Sequence, residues 1–291
     1  MLLPHRFLLV LFLFVALGAP LAAQEKADGE ERFNPHAVNP WISLPLTLGV
    51  GYLGQDRAYG VREKERTPVT EFATLDINDI NGFDRWAVRQ DVDPNDRKST
   101  LFASDYLANV AHASPLALFI WRKYRRNWLD ISLMYLEAQA LQGAIYGYAP
   151  FGPTVTNRFR PIVYYENAIE STRTDGNARN SMFSGHVSTT TTSIYFVAKI
   201  IDDYNPDLTP GQHVLLYAGA TVPAALSAYL RIRALKHFPT DTLVGMGVGA
   251  ISGIGVPELH RWWAKRHPRS SAMLVPMYGN GAAGAGFTLT F

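Results

Sequence analysis

The sequence predicts an all-α protein, a bundle of about five to six core helices followed by a short strand-like tail. Two observations lead to this prediction. Five apolar segments of helical length follow one another in the later part of the chain. The breaks between them carry Pro, Gly or an Asn-Pro pair, as helix ends do. The predicted core helices span residues 104–121, 128–146, 187–204, 211–233 and 239–263.

The part of the chain before these helices is predicted to be rich in loops. Residues 24–40 are polar and charged, which favours a flexible lead-in. Residues 41–54 are apolar but short for a membrane span and contain Pro45, so we expect one packed or interfacial helix there. Residues 56–100 are rich in charge, Asp, Asn and Pro and lack sustained periodicity, which indicates a connection with short helices.

The first 23 residues have the pattern of a secretory signal. His5 and Arg6 give a positive start, residues 7–17 form an apolar run, and residues 19–23 are mostly small. Cleavage would leave a mature chain that begins near Gln24. An uncleaved anchor is the alternative, although the apolar run is short for a span of ~20 residues. Both readings predict an exported protein, periplasmic or held in the envelope membrane.

The end of the chain changes character. Residues 266–291 are rich in Gly, and apolar side chains alternate with Thr from Phe287 to Phe291, which is a strand pattern. Such a strand could indicate outer-membrane barrel targeting. One strand cannot close a barrel, however, so we expect a strand or extended tail packed on the domain. The predicted organisation is thus a signal, a loop-rich region over 24–103, a helical domain over 104–265 and this tail.

Composition narrows the classes of function. The net charge is +2, and basic stretches occur only over residues 122–126 and 260–269, so a nucleic-acid partner is not expected. The sequence contains no cysteine, which excludes disulfides, thiolate catalysis, cysteine-based zinc sites and a lipoprotein anchor.

The sequence leaves open whether the helices cross a membrane. Asp130, Glu137 and Lys199 interrupt segments that should otherwise be almost purely apolar, and the mean hydropathy of −0.03 is low for a polytopic protein. The basic residues of 122–126 and those after residue 263 nevertheless fall on one side of an alternating topology, as cytoplasmic loops do. A soluble bundle and a membrane-embedded or membrane-docked bundle are both compatible with these observations.

Three short blocks in the loops between the later helices carry residues suited to phosphate chemistry. The first contains Arg158, Arg160 and Pro161. A guanidinium offers a planar fork of donors that fits phosphate oxygens bidentately, and proline fixes the local backbone direction. Loop arginines are commonly surface charges, so this block is weak evidence when taken alone.

The second block is Ser184, Gly185 and His186, directly before an apolar helical stretch. Free backbone N–H groups and the positive end of the helix dipole at such a helix start can hold an anion. Gly185 would let a phosphate approach the backbone, and His186 would reach the leaving group. Taken singly, Ser184 is better explained as an N-cap and His186 as a surface histidine.

The third block contains Arg231, His237 and Asp241. Pro239 is suited to open the next helix, which would place Asp241 in the first turn and within reach of His237. A carboxylate on one imidazole nitrogen fixes the tautomer and leaves the other nitrogen free to attack. A dipole-compensating Asp beside an interfacial histidine is the simpler explanation of this block alone.

Together, the three blocks supply what metal-free phosphoryl transfer requires, namely a nucleophile, an acid for the leaving group and cationic clamps. The sequence has no His-Glu-x-x-His motif, no paired Asp motif of metallophosphatases, no Walker loop and no Gly-x-Ser-x-Gly elbow. We therefore expect neither a metal nor a cofactor.

The blocks resemble those of the type 2 phosphatidic acid phosphatase and vanadium haloperoxidase superfamily, in the same order and among helices of similar length. The resemblance covers about residues 104–263. It implies that His237 forms a phosphohistidine intermediate with Asp241 orienting it. It also implies that His186 protonates the leaving alcohol and then activates water. The residues that would bind the phosphoryl oxygens are Arg160, Ser184, Gly185 and Arg231.

The resemblance makes the domain over 104–265 a catalytic domain that acts without a metal. Its expected substrate is a lipid phosphate or another amphiphilic phosphate ester or pyrophosphate. Two other functions stay open. The same pocket could bind vanadate in a haloperoxidase, or the chain could be an inactive relative that binds phosphorylated lipid or acts as an envelope scaffold.

The chain departs from the family pattern at three positions. The family usually has a lysine seven residues before the arginine of its first block, where this chain has Pro153. One cationic clamp is then missing, so either Arg158 or Arg179 replaces it or the enzyme is slow or altered. Phe183 stands in place of the usual proline before the second block, and Leu230 in place of the usual serine in the third. Neither of these two changes removes a charge or the nucleophile.

Overall fold

The computed structural model describes residues 33–61 and 64–267, and the backbone of two strands between residues 271 and 290. The signal predicted over residues 1–23 lies outside the described residues. Long helices dominate the described chain, which confirms the predicted all-α class. They are α1 Pro40–Gly60, α2 Lys98–Leu118, α3 Trp128–Tyr148, α4 Gly185–Asp203, α5 Pro210–Arg233 and α6 Pro239–Arg266.

Short helical segments connect the long helices. Two are single α-helical turns, Arg122–Arg125 and Glu170–Arg173. The others are 3₁₀ helices, and they span Val69–Thr74, Ile77–Asp79, Arg85–Val88, Pro161–Tyr164 and Gly176–Arg179.

Two helices extend beyond their predicted ends through polar turns. α1 continues past Gly54 to Gly60, and α2 begins at Lys98 rather than at Ser104. Lys98 and the residue after it are exposed. A solvent-facing turn needs no apolar side chain, so hydropathy gives no signal for it.

Helices α4 and α6 approach each other closely along a line of glycines. Gly245, Gly249 and Gly253 recur on α6 at four-residue spacing, which keeps them on one face of the helix. A Cβ at Gly245 would stand 2.8 Å from the Ser184 carbonyl, and one at Gly253 would stand 2.5 Å from the Thr192 carbonyl. The two helices therefore run parallel and begin at the same end of the bundle, which brings the second and third sequence blocks together.

The core consists of three apolar clusters. The largest joins the end of α2 to α3, α4 and α6, and its buried residues include Leu118, Ile131, Met134, Tyr135, Phe196, Ile200 and Val256. The other two lie where α4 and α6 begin. One packs Ile80 and Val88 against Phe238, and the other packs Val163 against Leu235. The segments before α2 and after α3 thus enclose the turn between α5 and α6.

Large apolar side chains are exposed on the outer surface of the bundle. Trp41 of α1 is 90% exposed, Leu215 of α5 is 72% exposed and Ile251 of α6 is 66% exposed. Within the described residues, α5 and α6 are long and apolar enough to cross a membrane. Exposed apolar surface of this kind is typical of regions that contact a membrane or another protein.

The chain after the bundle contains two strands, β1 Ser271–Gly279 and β2 Ala282–Thr290. They pair antiparallel, with Ser271 opposite Thr290 and Gly279 opposite Ala282. The sequence indicated a strand only near residue 287 and beyond. Gly and Ala, which have low strand propensity, fill the first half of β2, and Pro276 interrupts the apolar run of β1.

Candidate active site

His237 lies in the turn between α5 and α6, and its side chain is buried. Its Nδ1 atom stands 2.6 Å from the carbonyl oxygen of Ser181. A carbonyl oxygen only accepts hydrogen bonds, so Nδ1 carries the proton and Nε2 keeps its lone pair. Burial holds the pKa of His237 well below the ordinary histidine range, and Arg160 and Arg231 lower it further. The imidazole is therefore neutral, with one nitrogen free to act as a nucleophile.

The structure connects Asp241 to His237 indirectly, in place of the predicted direct contact. The Ser181 hydroxyl donates to Asp241 at 2.5 Å, and the Phe238 backbone N–H donates to it at 2.7 Å. Asp241 also forms an ion pair with Arg158. The unpaired N–H groups at the start of α6 lie closer to this carboxylate than the imidazole does, so Asp241 caps its own helix. Asp241 positions Ser181, and Ser181 in turn positions His237.

Arg158 and Arg179, the two predicted substitutes for the missing lysine, are held in ion pairs outside the histidine cluster. Arg158 bridges Asp241 and Asp84, and its Nη2 lies 2.6 Å from the Asp84 carboxylate. Arg179 donates to both carboxylate oxygens of Glu71, at 2.8 and 2.7 Å. Their donors are therefore used within the protein, in ion pairs with Asp84, Asp241 and Glu71.

Asp84 is a buried residue that the sequence gave no reason to select. It accepts hydrogen bonds from the Thr240 backbone N–H at 2.8 Å and from the Thr240 hydroxyl at 2.6 Å. Burial alone would raise the pKa of Asp84, but the bonds from Thr240, Arg158 and Asn81 lower it overall. Asp84 thereby caps the start of α6 and, through Arg158, fixes Asp241.

Arg160 and Arg231 are the cations beside His237. Among the described residues, Arg160 donates only to neutral oxygens, those of Asn177 at 3.2 Å and Asn180 at 3.4 Å. The Nε atoms of Arg160 and Arg231 are buried and have no hydrogen-bond partner in the described part of the chain. Leaving a buried donor unpaired costs about 1–3 kcal/mol, more for a charged group. Two such guanidinium groups fit a site that receives an anion.

The second block forms the start of α4. Ser184 is the N-cap, and its hydroxyl accepts from the Val187 backbone N–H at 3.4 Å. A Cβ at Gly185 would stand 2.9 Å from the Tyr146 ring, so this glycine is needed for close packing against Tyr146. In the first helical turn, the backbone N–H groups of Gly185 and His186 have no intrahelical acceptor. They are available for an anion at the positive end of the helix.

His186 pairs with an acidic residue from α2 that sequence reasoning missed. Its Nε2 atom lies 2.9 Å from Asp105 Oδ1, and Arg231 Nη2 lies 3.6 Å from the same oxygen. Desolvation by the surrounding protein and the charge of Arg231 lower the pKa of His186 to about 4, although the hydrogen bond and charge of Asp105 oppose this shift. Because 42% of the His186 side chain is exposed, this histidine can exchange protons with a substrate or with water.

A surface cavity of about 250 Å³ lies close to these groups, lined by Asp79, Ile80, Asn81, Arg158, Tyr164 and Phe238. Neither His186 nor His237 lines it. The cavity therefore adjoins the contact between Asp84 and Arg158 rather than the two histidines.

The comparison with protein families identifies the helical region. The sequence model described as the PAP2 superfamily matches residues 127–265, from just before α3 almost to the end of α6. All three sequence blocks lie within that range. Comparisons with curated proteins and with solved structures gave no match. The family predicted from the three blocks is confirmed, and residues 127–265 of this chain belong to the PAP2 superfamily.

Proposed function

We propose that the protein removes phosphate from a lipid or other amphiphilic phosphate ester, without a metal, through a phosphohistidine on His237. Membership of the PAP2 superfamily supports phosphatase-type activity in general. The observation that carries the finer proposal is the state of His237. Its Nδ1–H is fixed by the Ser181 carbonyl, so Nε2 is free beside Arg160 and Arg231.

In the first step, His237 Nε2 attacks the phosphorus atom. The N–P bond forms as the bond between phosphorus and the leaving alcohol breaks, and His186 gives its proton to the alcohol oxygen. Arg160, Arg231 and the N–H groups at the start of α4 hold the phosphoryl oxygens. General acid catalysis by His186 contributes about 10²–10⁴-fold to the rate.

In the second step, His186 takes a proton from water, and the water oxygen attacks the phosphohistidine. The N–P bond breaks, inorganic phosphate leaves, and His237 returns to its neutral form. The Ser181 carbonyl keeps the Nδ1 proton in place through both steps, so the same nitrogen is ready for the next substrate.

Apolar surface beside the site supports an amphiphilic substrate. Phe102 and Tyr106 flank Asp105 on α2, with 74% and 63% of their surface exposed, and their rings stack at 6.3 Å. Together with the outer surfaces of α5 and α6, they suit a phosphate group presented from a membrane. The signal predicted over residues 1–23 would place this activity on the periplasmic side.

Phosphate release in the presence of a chelator tests the proposal. The purified protein is assayed with a short-chain phosphatidate and with a soluble aryl phosphate, beside His237→Ala and the exposed control His267→Ala. We expect the wild type and the control to release phosphate and His237→Ala to lose activity by on the order of 10⁴–10⁶-fold. Turnover by His237→Ala, or wild-type turnover that stops with the chelator, contradicts the mechanism. Bromide oxidation after vanadate loading would support the haloperoxidase alternative instead.

A further inference from the structure

Tyr146 lies in the last turn of α3, where that helix meets the start of α4. The two helices run antiparallel, and side-chain hydrogen bonds join them along their contact. The Gln139 amide donates to Ser193 Oγ at 2.9 Å, and one turn closer to the site the Gln142 amide donates to Ser188 Oγ at 2.5 Å. The next turn of the same face of α3 carries Tyr146. The contact between the two helices therefore fixes the position of this tyrosine.

The edge of the Tyr146 ring that carries the hydroxyl faces Gly185, the first residue of α4. A Cβ built on Gly185 would stand 2.9 Å from Cε2, 3.4 Å from Cζ and 3.5 Å from Cδ2 of that ring. The fully buried Phe183 packs edge-on against the ring on another side, with the two centroids 5.4 Å apart. Because the hydroxyl oxygen is one bond beyond Cζ, it lies beside the start of α4.

The start of α4 is also where the anion-binding groups of the site converge. The backbone N–H groups of Gly185 and His186 have no intrahelical acceptor there. Burial lowers the pKa of Arg160 and of Arg231, and Tyr146 is close enough to oppose both shifts. The phenol therefore neighbours both the backbone donors of α4 and the two guanidinium groups.

A phenol differs from the other donors of the site in being neutral. Its hydroxyl has one proton to donate, and a hydrogen bond to an ionised acceptor is stronger than one between neutral groups. A further cation beside Arg160 and Arg231 would be repelled by them, whereas a phenol adds a donor without adding charge. The partly buried Tyr146 is thus suited to contact an anion in this position.

We propose that the Tyr146 hydroxyl donates a hydrogen bond to a phosphoryl oxygen of the substrate, beside the backbone N–H groups at the start of α4. This inference rests on the proposed function and adds to it a substrate-binding residue outside the three sequence blocks. Tyr146 contributes a neutral donor, while Arg160 and Arg231 contribute the positive charge.

The test compares Tyr146→Phe with the wild type by the inhibition constant of sulfate, with an aryl phosphate as substrate. The variant keeps the ring that packs against Gly185 and Phe183 and loses only the hydroxyl, so its unfolding midpoint should stay at the wild-type value. Sulfate should bind to it about 10–100-fold more weakly, because a hydrogen bond to a charged acceptor is lost. The control Tyr52→Phe, at a position on α1 that is 71% exposed, should match the wild type in both measurements.

Two results overturn the proposal. One is a Tyr146→Phe variant that binds sulfate as tightly as the wild type. The other is weaker binding accompanied by a lower unfolding midpoint, which would make the hydroxyl structural. If the wild type releases no phosphate, calorimetric titration with sulfate replaces inhibition. Weaker binding by Tyr146→Phe then supports the anion contact while the proposed hydrolysis fails, and unchanged binding, or no binding by the wild type, rejects the anion contact.

Discussion

The two ends of the bundle differ in the partners of their cationic side chains. At the end where α4 and α6 finish, the Lys199 ammonium lies 2.6 Å from Asp203 and 2.6 Å from Glu258. Arg261 lies 3.2 Å from Asp203 and 2.8 Å from Glu258. These two cations therefore each contact two carboxylates.

At the end where α4 and α6 begin, Arg158 likewise bridges Asp84 and Asp241, but Arg160 and Arg231 lack such partners among the described residues. Arg160 donates to neutral oxygens, and Arg231 stands 3.6 Å from the carboxylate of Asp105. Because burial of an unpaired cation is unfavourable, this difference supports the proposal that an external anion binds beside Arg160 and Arg231. On that proposal, the cations of the opposite end contribute to stability, and Arg160 and Arg231 contribute to binding.

Removing a cation at the active-site end should affect catalysis far more than stability. Arg231→Met should lower kcat/KM by about 10²–10³-fold, because it removes a donor to the phosphoryl oxygens. Its unfolding midpoint should stay the same or rise, because one charge leaves a cluster of like charges. Steady-state kinetics and thermal unfolding measure the two effects. An active but unstable variant would show that Arg231 is structural.

The same change at the opposite end should have the reverse effect. Lys199→Met removes a hydrogen-bonded cation from Asp203, whose side chain is fully buried and keeps His36 and Arg261 as partners. Stability should fall by about 3 kcal/mol, because a buried carboxylate loses its hydrogen-bonded cation. The kcat/KM of the folded fraction should stay at the wild-type value, and the exposed control Lys265→Met should change neither quantity. If Lys199→Met lost turnover but kept its stability, Lys199 would contribute to activity, and the two ends would not differ in the way described.

Substitution of a glycine on α6 should lower stability only on the face of the helix that packs against α4. A Cβ at Gly249 would clash with the Ser188 carbonyl, whereas one at Gly247 would meet no atom within 4 Å. Gly249→Ala should therefore destabilise the protein by about 1–3 kcal/mol, since the helices must separate. Gly247→Ala should stabilise it by up to about 1 kcal/mol, through helix propensity. Equal unfolding midpoints for the two variants would show that the helices are not in close contact.

Asp105 should set the pH range of activity. His186 must be protonated to release the leaving alcohol, and the Asp105 carboxylate raises its pKa. Asp105→Asn removes that charge, so the descending limb of kcat/KM should move to lower pH. The expected shift is about half a pH unit, because this pair is partly exposed. A pH–rate profile measures it, and a shift to higher pH would exclude His186 as the acid.

The sequence predicted the features that depend on local pattern. Periodic apolar residues located the core helices, and residue type selected His186, His237 and Arg231 as candidate site residues. The remaining groups depend on contacts between distant segments. Asp84 reaches the start of α6, and Asp105 reaches His186 across 81 positions, so no local pattern marks either of them.

Arg158 and Arg160 show the same limit within one block. They are the same residue type two positions apart, and sequence reasoning assigned both to phosphate. The structure gives Arg158 two carboxylates and gives Arg160 neutral oxygens. The distant partners Asp84 and Asp241 distinguish Arg158, which forms structural ion pairs, from Arg160, whose donors are available to an anion.

Trapping the phosphorylated enzyme tests the central claim most directly. The His186→Ala variant is mixed with an aryl phosphate, whose good leaving group needs little acid catalysis, and turnover is quenched in alkali, where phosphohistidine survives. Peptide mapping by mass spectrometry then locates the phosphoryl group. We expect the phosphoryl group on His237. The phosphorylated enzyme should accumulate because His186 is no longer present to activate water. Phosphate on another residue, or steady turnover with none on the protein, would contradict it.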